Sequence, residues 1–511
     1  MPSNNNTQSL GWNFDNSYAA LNETLFTPQL PVAVAAPRLL YINEPLAAEM
    51  GLQLNAATTE ELAALFSGNR LPEGAHPLAQ AYAGHQFGYF NMLGDGRALL
   101  LGEHIAPDGQ RYDVQLKGSG PTPYSRRGDG RATLSAMLRE YLISEAMHHL
   151  GIRTSRSLAV VATGETVPRE RMHTGGILTR IAASHIRVGT FEYVSAFQSN
   201  EVLQQLLHYT LNRHYPQLNN TPNAALALLQ QVQKEQIDLI VQWMRLGFIH
   251  GVMNTDNMSL AGETIDYGPC AFMNAYDPKT VFSSIDHEGR YAFANQPAIA
   301  QWNLACLART LIPLVHAEEQ KGVEQVQEII HNFPNHFRQE WKKMMLQKIG
   351  LLETEDSDST LIDALLNWMQ QNKADYTNTF RLLTHLAAEE VLTFPELSSN
   401  PCYIWAPGMV PSGNTAQEQL RNWLQDWHER FQQQPREKVR ALMQQTNPVF
   451  IPRNQLVEQA LEQAAFQSNQ SYFNELLLLL RNPYTEQSGK DGYQMPPQPQ
   501  TEQQYQTFCN T

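Results

Sequence analysis

Hydrophobic and polar positions change character twice along this chain, and each change predicts a different kind of element. Up to about residue 75 the apolar residues come in short groups between prolines, with one helical stretch at Glu60–Phe66, which predicts an extension packed against the rest of the chain. From Gly84 glycines become dense (GHQFGYFNMLGDGRALLLGE), and Ala98–Gly102 and Asp113–Lys117 read as two strands of one sheet. A glycine-rich loop, GSGPTPYSRRGDGR, comes next. Thr133–Leu150 is predicted helical, because Leu134, Met137, Leu138, Tyr141, Leu142 and Leu150 recur at helical spacing and Gly151 supplies a C-terminal stop. Val160–Ala162 and Gly176–Ala182 are further strand candidates.

Beyond about residue 196 the pattern turns helical over Glu201–His214, Ala224–Leu246, Ile299–His316, Gly322–Leu352 and Leu361–Gln371, then over Asn414–Gln445 and Gln455–Arg481. From Asn482 onward Gln, Pro, Gly and Ser dominate, which predicts a mobile tail. The expectation is an α+β protein with an N-terminal extension (1–75), a β-rich lobe (76–195), a mainly helical lobe (196–410), a C-terminal helical extension (411–481) and a flexible tail (482–511).

One interruption of the helical half carries chemistry. In HGVMNTDNMSLAGETIDYG, His250 to Gly268, Met258–Leu260 and Thr264–Asp266 are expected as short strands around an Ala261-Gly262-Glu263 turn, with Asn257 and Asp266 side by side at the open end. An amide oxygen and a carboxylate so placed suit a hard divalent cation that bridges to nucleotide phosphates. The string has the order of a protein-kinase catalytic loop, H-R-D-L-x-x-x-N and then D-F-G. His250, Asn257 and Asp266-Tyr267-Gly268 take the corresponding places, but Val252 stands where the base Asp belongs. Asp256 is the one carboxylate in the loop and the candidate substitute. Upstream, Lys117 ends a predicted strand and Glu140 lies in the next predicted helix, the arrangement of the kinase Lys–Glu ion pair. Together, these parts predict a protein-kinase-like two-lobed fold.

Two loops, Gly94-Asp95-Gly96-Arg97 and Gly128-Asp129-Gly130-Arg131, share one tetrapeptide logic: missing side chains let backbone N–H groups approach a phosphate or ribose. Arg126, Arg127, Arg131, Arg139, Arg153 and Arg156 crowd one short span, and Arg180 and Arg187 add cations near the end of the small lobe. That concentration points to a pocket for a polyanionic small molecule, since the whole chain carries a net charge of −14. The acidic balance argues against a nucleic-acid partner. No run of about 18 uncharged apolar residues exists, so no membrane partner is expected. The N-terminus MPSNNNTQSLGWNF has neither signal- nor transit-peptide order, which predicts a cytoplasmic protein. Cys270, Cys306, Cys402 and Cys509 lack metal or disulfide spacing.

The motifs GHQFGYFNMLGDGRALLLGE, DVQLKGSGPTPYSRRGDGRATLSAMLREYLISEAM, GGILTRIAASHIRVGTFEY, HGVMNTDNMSLAGETIDYGPCAFMNAYDP and NPVFIPRNQLVEQAL closely resemble the selenoprotein O (SelO) family, over about residues 10 to 480. The resemblance implies a pseudokinase fold that acts as a protein adenylyltransferase, moving AMP from ATP to Ser, Thr or Tyr hydroxyls of proteins, itself included. It further implies that Gly94, Gly96, Arg97, Lys117, Asp129, Gly130, Arg180 and Arg187 bind ATP, with Glu140 as the partner of Lys117. Asp256 would accept the proton, and Asn257 and Asp266 would hold Mg2+ or Mn2+. The nucleotide would sit inverted relative to ordinary kinases, with its γ-phosphate among the basic groups. Transfer of UMP from UTP stays open, because no base contact is legible in these motifs. Family members often carry a redox-active Cys or selenocysteine near the C-terminus, where this chain has Cys509. No Cys lies between Asp277 and Asp286 to pair with it. The competing readings are a phosphotransferase on the same fold and an inactive nucleotide-binding scaffold.

Overall fold

Strands buried on both faces build one antiparallel sheet in the N-terminal half. The computed structural model describes residues 10–388, 414–432 and 434–508. Its strands are β1 (Phe26–Pro28), β2 (Arg38–Ile42), β3 (Leu78–Gln80), β4 (Ala83–Gln86), β5 (Tyr89–Met92), β6 (Ala98–Ile105), β7 (Arg111–Lys117), β8 (Ala132–Thr133), β9 (Arg156–Pro168) and β10 (Met172–Ala182). The sheet runs β1-β3-β6-β7-β10-β9-β2, β8 also pairs with β10, and β4 and β5 form a separate hairpin.

Because side chains alternate along a strand, neighbours in sequence enter different cores. Leu100, Val160 and Leu178 join the large core, which includes Leu138 and Leu142 of helix α3 (Leu134–His149). Leu101, Val161 and Ile177 face the other way, onto Leu46 and Met50 around α1 (Glu44–Glu49) and Leu62 and Phe66 of α2 (Thr59–Phe66). Both edge strands come from the first 75 residues, which the apolar spacing did not mark as strand. The helix α2 starts at a capping box between Thr58 and Glu61, and α3 starts where the Thr133 side chain accepts from Ala136 N.

The second half is helical: α4 (Val188–Phe197), α5 (Asn200–His214), α6 (Ala224–Leu246), α7 (Gln296–Val315), α8 (Glu319–Lys348), α9 (Asp358–Asn372) and α10 (Tyr376–Leu386). The small pair β11 (Phe248–Ile249) and β12 (Ala271–Phe272) brackets the candidate catalytic segment. The segment Phe293–Val315 is long and apolar enough to cross a bilayer by length and composition, and in the fold α7 packs against α4, α6 and α8.

The two long helices expected after residue 410 are each broken in two. The first becomes α11 (Asn414–Phe431) and α12 (Arg436–Thr446), with Pro435 at the α12 start. The second becomes α13 (Asn454–Phe466) and α14 (Ser471–Leu480), where Ser468 takes a left-handed φ of 56°. The boundary expected at 410–411 and Cys402 and Cys509 lie outside the described residues.

Two expectations are corrected. The arms 258–260 and 264–266 do not pair with each other. Ser259 bridges to Arg187 and Thr264 to Thr154, and backbone bonds Val188 N–Met258 O (3.0 Å), Leu260 N–Ile186 O (2.9 Å) and Ser155 N–Thr264 O (3.0 Å) fix each arm to a different neighbour. Arms this short and buried leave backbone groups that a two-stranded hairpin cannot all satisfy, so the flanking segments supply partners. The part of the tail that is described, 482–508, is packed rather than mobile. It contains α15 (Pro499–Gln504), Thr507 bridges to Ser283, and Tyr484, Tyr493 and Tyr505 lie against the large core. Isolated aromatics anchor it, and they have no period for a pattern to register.

Candidate active site

The strand register decides which charges meet. Leu178 pairs with Lys117 and Arg180 with Gln115, so Lys117 and Arg180 project from the sheet face that α3 covers. From α3, Glu140 receives Lys117 Nζ on one oxygen (2.7 Å) and Arg180 Nε on the other (2.8 Å). Asp266 lies across from it, and its Oδ1 accepts from Lys117 Nζ (2.6 Å) and Arg180 Nη2 (2.5 Å), with Arg187 Nη1 at 3.8 Å from Oδ2. Burial alone would push both carboxyls up in pKa. The adjacent Arg180 and Lys117 outweigh it, holding Glu140 below and Asp266 well below the usual carboxylate range. Both are therefore anions. Asp266 also has φ of 62°, a left-handed conformation that Asp tolerates better than most residues.

Asp256 differs from these two. It sits in a three-residue 3-10 turn, Thr255–Asn257, that the sequence pattern did not mark. The residue is 8% exposed, and its Oδ1 has no hydrogen-bond partner. Burial raises its pKa to about 6, against the lowering pull of Arg187. Arg187 Nη1 donates to the Asp256 backbone carbonyl (2.9 Å), and its guanidinium stands 4.3 Å over the Tyr82 ring.

The two glycine loops are tied together. Thr122 Oγ1 donates to Asp95 O (2.6 Å), Ser125 Oγ donates to Gly96 O, and Gly120 N donates to Gly130 O (3.0 Å). Gly130 has φ of 66°, and a Cβ there would meet the Gly120 carbonyl carbon at 2.1 Å, so no other residue fits without rebuilding the loop. Asp129 is gripped by Arg169 through two parallel contacts of 2.8 and 3.0 Å.

All the residues singled out above as nucleotide, metal or proton-handling candidates line one cavity of about 940 Å3: Gly94, Gly96, Arg97, Lys117, Asp129, Gly130, Glu140, Arg180, Arg187, Asp256, Asn257 and Asp266. Val252 lines it too. His250 does not; it is buried behind the loop, with Nε2 2.9 Å from Ile265 O, where it supports the backbone just before Asp266. The arginine cluster divides. Arg126, Arg127, Arg131 and Arg139 face the cavity, whereas Arg153 pairs with Glu235 and Arg156 with Glu145 (2.8 Å), away from it. Sequence reasoning missed Arg169, Tyr82, Asn254 and the tail residues Tyr505 to Phe508, all of which line the cavity. The tail is latched there: Arg139 Nη2 donates to Tyr505 Oη (3.2 Å) and Thr507 Oγ1 to Pro269 O (2.7 Å).

The donor set fits a hard divalent cation. Asp266 is ionised, and Asn257 spends its amide nitrogen on Val252 O (3.0 Å), which leaves its amide oxygen as the donor it can offer. Among the described residues, the other cluster with metal-ligand chemistry is His85, Glu192 and Cys306, beneath the Thr255–Asn257 turn.

A family model described as protein adenylyltransferase SelO matches residues 8–481. The chain is 53% identical over 509 residues to a protein nucleotidyltransferase YdiU of Syntrophotalea carbinolica, covering 99% of each chain. It is 52% identical over 502 residues to one of Anoxybacillus flavithermus, covering 98% of this chain and 99% of the relative. With one of Bacillus cereus the identity is 51% over 513 residues, covering 100% of both.

Proposed function

The chain belongs to the SelO family of protein adenylyltransferases, and from that premise we propose that it transfers AMP from ATP to Ser, Thr or Tyr hydroxyls of proteins, releasing pyrophosphate. The sheet with α3 and the helical half would then be the two lobes of a kinase-like fold, with Lys117 and Glu140 as its ion pair. The observation that carries this reading is the cavity wall itself: a concentration of guanidinium groups, two ionised carboxylates tied to cations, and one carboxylate, Asp256, with an unpartnered oxygen.

In the proposed step the acceptor oxygen attacks the α-phosphorus. A new O–P bond forms, the bond from the α-phosphorus to the bridging oxygen breaks, and pyrophosphate leaves with the electron pair. Asp256 takes the hydroxyl proton. Its raised pKa of about 6 leaves it ionised near neutrality yet more basic than an ordinary Asp. Lys117, Arg180 and the loop arginines Arg97, Arg126 and Arg127 hold the phosphates and offset the charge that develops on pyrophosphate through charge-assisted hydrogen bonds. Asn257 and Asp266 would hold Mg2+ or Mn2+, which when bound neutralises phosphate charge. Val252 cannot act as a base, which removes the ordinary route to γ-phosphoryl transfer.

Incubating the enzyme and an acceptor protein with ATP labelled separately at the α and γ phosphorus tests the proposal. Label should enter protein from the α position alone. Label entering only from γ would establish the phosphotransferase instead.

A further inference from the structure

One oxygen of the Asp256 carboxylate, Oδ1, has no hydrogen-bond partner, yet the turn that carries it is bolted from beneath. Thr255, immediately before Asp256, is completely buried. Its hydroxyl accepts from His85 N (2.7 Å) and donates to Glu192 Oε2 (2.5 Å). The other Glu192 oxygen lies 2.5 Å from His85 Nδ1. Cys306 of α7 closes the group, its sulfur lying within 4.8 Å of both the imidazole and carboxylate ligand atoms. The imidazole is packed edge-on by Phe90 and Trp302, each with ring centroids at 5.2 Å. Strand β4 and helix α4 therefore converge with the turn on one hydroxyl, and helix α7 closes the group around His85 and Glu192.

A buried hydroxyl that both accepts and donates has a fixed rotor, and every atom of such a network is costly to displace. The same strand presses on Asp256 from above, since a Cβ at Gly84 would stand 2.4 Å from Oδ1. Phe87 N (3.2 Å) and Tyr291 Oη (2.7 Å) both donate to Asn254 Oδ1 and hold the residue that precedes Thr255. Oδ1 of the carboxylate stays without a hydrogen-bond partner while the two residues before it are pinned.

We propose that His85 and Glu192 are positioning residues for the transfer reaction, acting through the Thr255 hydroxyl to hold the turn so that the Asp256 carboxylate meets the acceptor hydroxyl. This rests on Asp256 being the proton acceptor. Both Glu192 oxygens are taken by hydrogen-bond partners, which favours a hydrogen-bonded cluster over a metal centre at His85, Glu192 and Cys306.

Thr255→Val keeps the shape and deletes the hydroxyl, Thr255→Ser restores it, and His85→Phe keeps the ring packing but loses Nδ1. AMP transfer from α-labelled ATP, ATP affinity and elemental zinc content are measured for each. Thr255→Val should lower kcat about a hundredfold with ATP affinity within about threefold of the parent, because small misplacements of reacting groups cost rate rather than ground-state binding. Thr255→Ser should recover most of the rate, and His85→Phe should lose about tenfold. In the Asp256→Ala background, Thr255→Val should cost nothing further, since both act through one group. A Thr255→Val rate close to the parent, a fall in ATP affinity in step with kcat, losses that multiply with Asp256→Ala, or stoichiometric zinc would each overturn the proposal. If Asp256→Ala alone is fully active, the proton-acceptor assignment fails; if it is inactive while Thr255→Val is not, only the positioning role fails.

Discussion

Glu140 is the one carboxylate on α3 that both Lys117 and Arg180 share, and replacing it with alanine has a consequence that charge counting makes specific. Lys117, Arg180 and Arg187 bring three positive charges to the cluster, and Glu140 and Asp266 bring two negative ones. The parent cluster is thus positive by one, and Glu140→Ala makes it positive by two at a position only 3% exposed. The lost contacts are charged hydrogen bonds of 2.7 Å to Lys117 and 2.8 Å to Arg180 Nε, with an ion-pair contact of 2.6 Å to Arg180 Nη2. Removing one partner of a buried pair costs about 3–5 kcal/mol, most of it from the cations left uncompensated. Glu140→Gln leaves the same uncompensated charge but keeps the shape and one acceptor, so it should cost about 1 kcal/mol less than the Ala variant. Thermal unfolding without nucleotide should therefore rank parent, Gln and Ala in falling order. Added inorganic pyrophosphate supplies the missing negative charge, so it should raise the midpoint of Glu140→Ala more than that of the parent. An Ala variant with the parental midpoint, or one that pyrophosphate stabilises no better than the parent, would refute the reasoning.

Further outcomes rest on single distances and pKa shifts. Gly84→Ala places a Cβ 2.4 Å from Asp256 Oδ1 and should cut AMP transfer about a hundredfold while ATP binding is retained, as measured by calorimetry; unchanged transfer would contradict the geometry. Asp256, raised to about 6, is half ionised at that pH, so kcat/KM should be level above about pH 7, half-maximal near pH 6 and fall towards tenfold per unit below it, and a flat profile down to pH 5 would remove it as the base. Glu263 is pushed by burial from 4.5 to about 7, so the folded state favours its neutral form. Its contribution is intact below about pH 4.5 and is lost as pH rises through 7. Glu263→Gln should accordingly be more stable than the parent by about 3 kcal/mol at pH 8 and by under about 1 kcal/mol at pH 5 in denaturant titrations. A pH-independent difference would count against a neutral Glu263.

The parts of this molecule that local pattern reveals are those with local causes. Helix α6 has the bounds its apolar spacing predicts, because Asn223 caps its start and Gly247 ends it within the same stretch of chain. Lys117, Glu140, Asn257 and Asp266 were legible from their order alone, and the register of β7 against β10 then brings Arg180 to the same face. Partnership across long separations was not legible. Arg153 and Arg156 look like pocket cations in sequence, but Glu235 and Glu145 claim them. Arg169 shows no motif, and its role in gripping Asp129 depends on the turn between β9 and β10. The segment from Met258 to Asp266 has the composition of a hairpin, but its buried backbone is satisfied by residues 153–155 and 186–188. The tail reaches the cavity through single residues, Tyr505 and Thr507, which hydrophobic period cannot register.

AMP transfer is tested most directly by incubating the protein with ATP, a divalent metal and an acceptor protein, and mapping the modification by mass spectrometry. AMP transfer predicts one AMP group per modified Ser, Thr or Tyr hydroxyl, with an equal amount of pyrophosphate released and the product lost in Asp266→Ala. Phosphate on the acceptor, with ADP released in place of pyrophosphate, would contradict it.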